Sequence, residues 1–225
     1  MEWTWNSEDT QPCSFKVFFA QNFNITGGSD GVVVNRGSNA VINNNNIHDT
    51  GGNGVTVEEL AFAVLTNNTI EGNLDGAGIL VNEKSTARIG FNSDTETTAS
   101  ANTIQNNAVG IIVSNGSSAR IIGNDISNNS GDGIDVLRDS QADIASNTIN
   151  GNGDDGIEVG EDSFVQLGED SGATIYDLPN TTTANNAGRG VKCTTGGVAD
   201  GRRGTLMGAL GATNLDASCI NDLNP

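Results

Sequence analysis

A glycine followed by an apolar-any-apolar triplet recurs at a nearly constant interval along this chain. The seven glycines are Gly31, Gly54, Gly78, Gly110, Gly133, Gly156 and Gly190. The intervals between them are 23, 24, 32, 23, 23 and 34 residues, so two repeats carry insertions of about nine and eleven residues. Self-similarity at such a period indicates a repeat protein, in which each unit buries its apolar side against its neighbours.

The residues after each glycine form two apolar columns with a variable column between them. The first column is Val32, Val55, Ile79, Ile111, Ile134, Ile157 and Val191, and the second is Val34, Val57, Val81, Val113, Val136, Val159 and Cys193. The variable column is Val33, Thr56, Leu80, Ile112, Asp135, Glu158 and Lys192. Alternation with a period of two predicts a strand that turns one face inward in every repeat.

Two further strands per repeat follow in the same frame. The second is marked by Ala40 to Ile42, Ala63 to Leu65, Ala87 to Ile89, Ala119 to Ile121, Ala142 to Ile144 and Val165 to Leu167. The third is marked by Ile47, Ile70, Ile104, Ile126 and Ile149, each two residues after an asparagine. Columns of β-branched residues with glycine and asparagine between them argue against helical repeats. We therefore predict an all-β solenoid with three short strands per coil.

The pattern Gly-Ile-x-Val, Ser-x-Ala-x-Ile, Asn-x-Ile-x-x-Asn, from about Gly31 to Lys192, resembles the right-handed β-helix repeats of pectate-lyase-like proteins and of carbohydrate-binding and sugar-hydrolysing domains. The resemblance implies a single-stranded right-handed parallel β-helix of about seven to eight coils, capped at both ends. Such repeats occur in lyases, hydrolases, epimerases, phage tailspikes, adhesins and non-catalytic proteins. The resemblance therefore indicates the fold much more sharply than the function.

Composition divides the chain into three parts. Trp3, Trp5 and most of the phenylalanines lie near the start, where we expect them to seal the open end of the solenoid; an aromatic platform for sugars is the alternative. The predicted parts are an N-terminal cap with a first irregular coil (1–30), the repeats with loop insertions near 90–101 and 168–184 (31–193), and a C-terminal cap (194–225).

Both insertions follow the second strand of their coil, so we expect them to leave the same edge of the solenoid. Binding sites often lie on loops that a rigid scaffold holds in place. We predict a ligand-binding groove between the two loops, and the alternative is that insertions are simply tolerated there. The predicted floor consists of Arg88, Arg120, Asp143 and Gln166, with Asn124 and Asn147 nearby.

An acidic group lies farther along the chain, and it is the weak candidate for chemistry. Asp135, Asp155 and Glu158 are the candidate catalytic residues, and Asp132, Asp154 and Asp155 are the candidate calcium ligands. Asp154-Asp155-Gly-Ile faintly resembles an acidic motif of polygalacturonases, but the Gly-His-Gly and Arg-Ile-Lys motifs of that family are absent, and His48 is the one histidine. A solvated acidic face is the alternative.

The charge of −18, from 28 acidic and 10 basic residues, excludes nucleic acid as an expected partner and disfavours anionic membranes. The longest apolar run, Leu60 to Leu65, is far shorter than the ~20 residues of a membrane-spanning helix, so we expect no membrane insertion. No cofactor is required on these grounds, although calcium fits the acidic group. The weakly apolar stripe Val33, Thr56, Leu80 and Ile112 is a candidate contact between copies of the chain.

Cys193 and Cys219 are predicted to form a disulfide bond that closes a loop near the end of the chain, which would leave Cys13 unpaired. Three reduced thiols are the alternative. The sequence shows no secretory signal, but its composition favours an extracellular or cell-surface location over the cytosol. We therefore expect a non-catalytic module that recognises a polysaccharide or supports a surface assembly. The alternatives are a polysaccharide lyase or glycoside hydrolase, and a purely structural, oligomerising scaffold.

Overall fold

The fold is a solenoid of parallel strands. A computed structural model describes residues 17–168 and 174–224, and within them every regular element is a β-strand. The chain passes from sheet A to sheet B to sheet C and back to sheet A, so each strand pairs in parallel with the equivalent strand of the neighbouring coils. This confirms the predicted all-β parallel solenoid with three strands per coil.

Each sheet consists of strands from successive coils, which lie side by side in chain order. Sheet A contains β1 (Val17–Gln21), β4 (Asn39–Asn43), β7 (Phe62–Thr66), β10 (Thr86–Ile89), β13 (Ser118–Ile122), β16 (Gln141–Ala145), β19 (Phe164–Leu167), β21 (Val198–Arg202) and β23 (Ile220–Asn224). Sheet B contains β2 (Asn24–Thr26), β5 (Asn46–His48), β8 (Thr69–Glu71), β11 (Thr103–Gln105), β14 (Asp125–Ser127) and β17 (Thr148–Asn150). Sheet C contains β3 (Val32–Val34), β6 (Val55–Val57), β9 (Ala77–Val81), β12 (Val109–Val113), β15 (Ile134–Val136), β18 (Ile157–Val159), β20 (Val191–Cys193) and β22 (Thr213–Leu215).

The apolar columns of the sequence fill the interior of the solenoid. Ile79 pairs with Ile111, which pairs in turn with Ile134, and the side chains of all three are fully buried. Like side chains therefore stack directly on one another, while the backbone groups of each strand bond to the coils on either side. Stability arises from the stack, because a single coil would leave its apolar side in water.

Buried polar ladders hold the corners between the sheets. At the corner between sheets A and B, each asparagine amide donates to the side-chain oxygen of the next one along the ladder Asn45, Asn68, Asn102, Asn124, Asn147 and Asn180. A second ladder, at the corner between sheets B and C, runs through Asn73, Asn107, Asn129, Asn152 and Asn186. Serines at the third corner receive backbone N–H bonds in the same way, through Ser85, Ser117, Ser140 and Ser163. These bonds satisfy polar groups that would be costly to bury alone.

The solenoid has about nine turns, whereas the sequence predicted seven to eight. The difference arises at the ends, because β1 and β2 complete a coil before the first glycine repeat and β21 to β23 extend sheets A and C beyond Cys193. The segment after Thr194, predicted as a cap, thus continues the stack. Its apolar signal is weak, since its strands are Val198–Arg202, Thr213–Leu215 and Ile220–Asn224. Trp3, Trp5 and Cys13 lie outside the described residues.

The disulfide predicted near the end of the chain joins the last two coils. Cys193 on β20 is bonded to Cys219, with their Cα atoms 5.9 Å apart. Cys193 occupies the inward column of sheet C and is fully buried, so the bond anchors the following coil to the core. Throughout the described part of the chain, no helix has the length and apolarity to cross a membrane.

Candidate functional site

The outer face of sheet A carries the predicted polar column. Strand pairing aligns Arg88 with Arg120, Arg120 with Asp143, and Asp143 with Gln166, and it adds Asp200 as the next residue. Their neighbours along each strand are buried alanines, valines, leucines and isoleucines, so the polar side chains must point outward. A rigid sheet thus fixes the spacing of these groups.

A shallow depression of about 110 Å³ lies over the middle of this face. It is lined by Ser118, Ala119, Arg120, Gln141, Ala142, Asp143, Phe164 and Gln166. The ring of Phe164 is 36% exposed at one side, and the Gln166 side chain is steadied by a 3.1 Å hydrogen bond from its Nε2 to the Gly168 carbonyl. The depression therefore combines hydroxyl, amide and aromatic groups on a nearly flat surface.

The two insertions meet beside this depression. They follow β10 and β19 of sheet A and both lead towards sheet B, so they leave the same corner. Phe91 from the first insertion is fully buried and contacts Tyr176 from the second edge-on, with ring centroids 5.5 Å apart. Ile122 and Ala145, from the two coils between the insertions, complete a small apolar cluster outside the main core. The described parts of the two insertions are thus packed together as one unit.

Arg120 links this unit to the sheet. Its guanidinium lies 5.1 Å from the ring centroid of Phe91 and 5.1 Å from that of Tyr176. Nε donates to Asp143 Oδ2 at 2.9 Å, and Nη1 lies 2.5 Å from Asp94 Oδ1. Burial lowers the pKa of Arg120, but the hydrogen bonds and charges of Asp143 and Asp94 outweigh it and leave the pKa above its usual value. The cation is held by two carboxylates and two rings.

Three of the four predicted floor residues, Arg120, Asp143 and Gln166, line the depression, but the two insertions contact each other beside it and do not form opposite walls. Arg88 lies against the first insertion rather than in an open floor, since its Nη1 donates to the Asn92 carbonyl at 3.0 Å and its Nη2 lies 3.8 Å from Asp94. Asn124 and Asn147 were also predicted to contact the ligand. Both are buried in the asparagine ladder, with exposures of 1% and 0%, so neither is available to a ligand.

Sequence reasoning missed the residues that join the insertions, above all Phe91, Asp94 and Tyr176. One signal could have revealed them. In sheet A, the last inward residue of a strand is followed by one outward residue. That residue is polar in two earlier coils, at Asn43 and Thr66, but it is apolar at Ile122 and Ala145. Those two coils are the ones that lie between the insertions, so the apolar pair marks the surface that the loops cover.

The acidic candidates gather on a different face, the outside of sheet C. Pairing aligns Asp135 with Glu158 and Glu158 with Lys192. Lys192 Nζ lies 3.0 Å from Glu158 Oε2 and 3.2 Å from Asp155 Oδ2. Burial lowers the pKa of Lys192, but the hydrogen bonds and charges of Glu158 and Asp155 raise it above its usual value. The sequence placed Lys192 in a variable column, whereas it is the internal counterion of this group.

Asp135 and Asp132 form a carboxyl pair within the group. Burial, followed by the charge of Asp132, raises the pKa of Asp135 to about 9. Burial also raises the pKa of Asp132, to about 6. Asp135 Oδ1 is buried and has no hydrogen-bond partner among the described residues. The raised pKa favours the protonated form of Asp135, and a protonated carboxyl group is what a general acid requires.

Asp155 is placed unfavourably for either of its predicted roles. It is only 2% exposed, its Oδ1 accepts from the Arg189 backbone N–H at 2.5 Å, and its Oδ2 faces Lys192. Oxygens of Asp132, Asp154 and Asp155 lie within 4.8 Å of one another, so the calcium prediction has a geometric basis. Two oxygens of these residues already accept backbone hydrogen bonds within the fold. Asp155 Oδ1 accepts from Arg189, and Asp132 Oδ1 accepts from the Asp155 backbone N–H at 2.6 Å.

The apolar stripe predicted on sheet C is interrupted. Val33 is 47% exposed, whereas Thr56 is buried and donates to Asp30 Oδ2 at 2.6 Å. His48 lies on sheet B near the start of the chain, where Nδ1 is 2.7 Å from Asp49 Oδ2. Neither the interrupted stripe nor His48 adds a side chain to the acidic group. Among the described residues, that group consists of carboxyl groups and Lys192.

Comparison with known proteins agrees with this architecture. A family model described as right handed beta helix region matches residues 16–94 and 83–201. Comparisons with curated proteins and with solved structures gave no match. The matched segments span most of the chain and coincide with the three stacked parallel sheets, and the protein therefore belongs to the right-handed β-helix family.

Proposed function

We propose that this protein is a non-catalytic module that recognises a polysaccharide on the outer face of sheet A. The observation that carries the proposal is the depression, which Ser118, Gln141 and Gln166 line together with the partly exposed Phe164. Hydroxyl and amide groups can both donate to and accept from sugar hydroxyls, and an exposed ring offers an apolar surface to a pyranose face.

The shape of the face suits a chain-like ligand better than a small molecule. The depression is open and shallow, whereas small-molecule sites enclose most of their ligand. The polar column crosses several strands at right angles to them, and neighbouring strands lie about 4.8 Å apart. An extended polymer lying along the solenoid axis would meet equivalent positions on successive coils.

A binding role without turnover is favoured by how the carboxylates on this face are used. Asp143 is committed to Arg120 at 2.9 Å, and Asp94 is committed to the same guanidinium. Asp135, whose pKa is raised to about 9, lies on sheet C and therefore on another face of the solenoid. The proposed binding groups and the candidate acid thus lie on different faces of the solenoid.

An extracellular or cell-surface location is part of the proposal. The disulfide between Cys193 and Cys219 supports it, because such bonds persist in oxidising compartments and are rare in the cytosol. The charge of −18 is also compatible with a protein that stays dispersed in an aqueous extracellular medium.

The test is retention on a panel of immobilised polysaccharides, with and without calcium, combined with assays for reducing and unsaturated ends. Retention without release of ends is expected, and Phe164→Ala and Gln166→Ala should each weaken it about tenfold. Phe23→Ala and Gln105→Ala are the matched controls, since Phe23 is 55% exposed at the corner between β1 and β2, four coils from β13, and Gln105 lies on sheet B. Absence of retention on every polymer would contradict the proposal and favour a structural scaffold.

A glycoside hydrolase is the second candidate, and the raised pKa of Asp135 favours it. A protonated carboxyl beside ionisable carboxyl groups could protonate a glycosidic oxygen, with Glu158 as the second carboxylate. Release of reducing ends that disappears in Asp135→Asn, but not in Asp139→Asn, would support this candidate. Release of unsaturated ends would indicate a lyase instead.

A further inference from the structure

We infer that the depression on sheet A selects uncharged polysaccharides and discriminates against polymers that carry carboxylate or sulfate groups. This inference rests on the proposed function, since it names the class of polymer that the same site would take. It is drawn from the way in which the charges on this face are already paired.

Neither arginine of the column is free to bind an anion. Arg120 has Asp143 at 2.9 Å from Nε and Asp94 at 2.5 Å from Nη1, and aromatic rings cover it on two sides. Arg88 donates to the Asn92 carbonyl and faces Asp94 at 3.8 Å. An incoming carboxylate would have to displace a carboxylate that the fold already positions, at no gain in the number of ion pairs.

The net charge around the depression is unfavourable to anions. In the polar column and the adjoining Asp94, Arg88 and Arg120 supply two positive charges and Asp94, Asp143 and Asp200 supply three negative ones, so these five groups sum to −1. The whole chain, these groups included, carries a charge of −18. A polyanion would therefore meet repulsion at long range as well as on the face itself.

The groups that remain are neutral. Ser118, Gln141 and Gln166 offer hydroxyl and amide groups, and Phe164 offers the face of its ring. Such groups recognise hydroxyls and C–H surfaces and need no charge on the ligand. A polymer of neutral sugars, or an esterified acidic polymer, satisfies them without displacing any ion pair.

The test uses pairs of polymers that share a backbone and differ in charge. Methyl-esterified and de-esterified homogalacturonan form one pair, and hydroxyethyl and carboxymethyl cellulose form another, alongside neutral xylan, mannan and β-glucan. Affinity gels are run in EDTA, so that calcium cannot bridge two anions. We expect the neutral member of a pair to be retained at least about tenfold more strongly, with little change when salt is raised to about 0.5 M.

One substitution should shift the preference. Asp143→Asn leaves Arg120 with Asp94 as its one carboxylate partner on this face, so retention of the acidic member should rise relative to the neutral one. Asp139→Asn is the matched control, because it makes the same change in net charge at an exposed corner. Thermal unfolding of both variants verifies that the fold is intact. Asp94→Asn, which removes the other carboxylate partner of Arg120, provides a second variant if Asp143→Asn is unstable.

The outcomes separate this inference from the proposed function. Equal or stronger retention of the acidic members by the unaltered protein would overturn the selectivity for neutral polymers and leave polysaccharide recognition in place. Failure to retain any polymer, neutral or acidic, would overturn both. An identical preference in Asp143→Asn and Asp139→Asn would also overturn the inference, because it would show that the pairing of Arg120 does not set the selectivity.

Discussion

The Tyr176 hydroxyl donates a 2.7 Å hydrogen bond to the Ser93 carbonyl and so joins two insertions whose bonded residues are 83 positions apart in sequence. The strands that carry these insertions are separated by three coil spacings, or about 14 Å along the axis. Each insertion supplies one ring of the Phe91 and Tyr176 contact, so we expect each to stabilise the conformation of the other.

Removing the Tyr176 ring should loosen both insertions together. Tyr176→Phe loses one hydrogen bond and should cost about 1 kcal/mol of the free energy of unfolding. Tyr176→Ala also loses the contacts with Phe91 and Arg120 and should cost about 3 kcal/mol. Chemical denaturation measures the difference, and hydrogen exchange should rise around Phe91 as well as around Tyr176. Faster exchange at Tyr176 alone would show that the insertions are independent.

Replacing Asp135 should stabilise the protein at alkaline pH. Its pKa is about 9 in the folded chain and about 4 in an unfolded one, so between these values the folded state binds the additional proton. Stability therefore falls as pH rises through this window. Asp135→Asn removes the ionisable group. It should therefore raise the free energy of unfolding at pH 8 by more than about 1 kcal/mol.

The measurement for Asp135 is denaturant unfolding at a series of pH values from 5 to 9. Asp135→Asn should show a flatter dependence on pH than the unaltered protein, and Asp139→Asn is the control for the loss of one carboxylate at an exposed position. Parallel curves for the unaltered protein and Asp135→Asn would show that Asp135 ionises normally.

Asn124 should affect stability and not ligand binding. Its Nδ2 donates to the Ile89 carbonyl at 2.9 Å, and its Oδ1 accepts from both the backbone and the side chain of Asn102. Asn124→Ala leaves those buried donors without a partner and should cost about 3 kcal/mol. Asn24→Ala, on the exposed face of sheet B, should cost less than about 0.5 kcal/mol. A variant that folds normally but loses polysaccharide retention would contradict this assignment.

Reducing the disulfide should release the end of the solenoid. The bond closes a loop between residues 26 positions apart, so its loss should cost about 3 kcal/mol, felt mainly by the coils it joins. Hydrogen exchange in β22 and β23 should accelerate after reduction or in Cys219→Ser, whereas exchange in β6 should not change. Uniform acceleration along the chain would show that the solenoid unfolds as a single unit.

The fold was predictable because each coil repeats the same positions. The alternation around Ile111 and Val113 identified sheet C, and the asparagine two residues before Ile126 marked both a strand and a corner. The alignment of Arg120 with Asp143 followed from the repeat alone. Contacts between equivalent positions of neighbouring coils could therefore be predicted from the sequence.

The candidate site was less predictable because it depends on segments outside the repeat. Nothing in the period indicates that Phe91 turns back over Ile122, or that Asp94 reaches Arg120. The role of Asn124 was misjudged for a related reason, since nearness along the chain to Arg120 does not reveal that the corner is buried. Lys192 belongs to the outward column, but its partner Asp155 is a loop residue, so the repeat did not reveal this ion pair either.

The asparagine ladder makes the spacing of coils independent of the length of chain between them. Its rungs are separated by 23, 34, 22, 23 and 33 residues, yet neighbouring amides remain 2.9 to 3.1 Å apart. The long intervals contain the insertions, which leave the sheet just before a rung. The same exit exists after Leu65 and after Ile144. The solenoid thus offers equivalent positions for loop insertion on successive coils. Further binding loops could be inserted there side by side without changing the register of the strands beneath them.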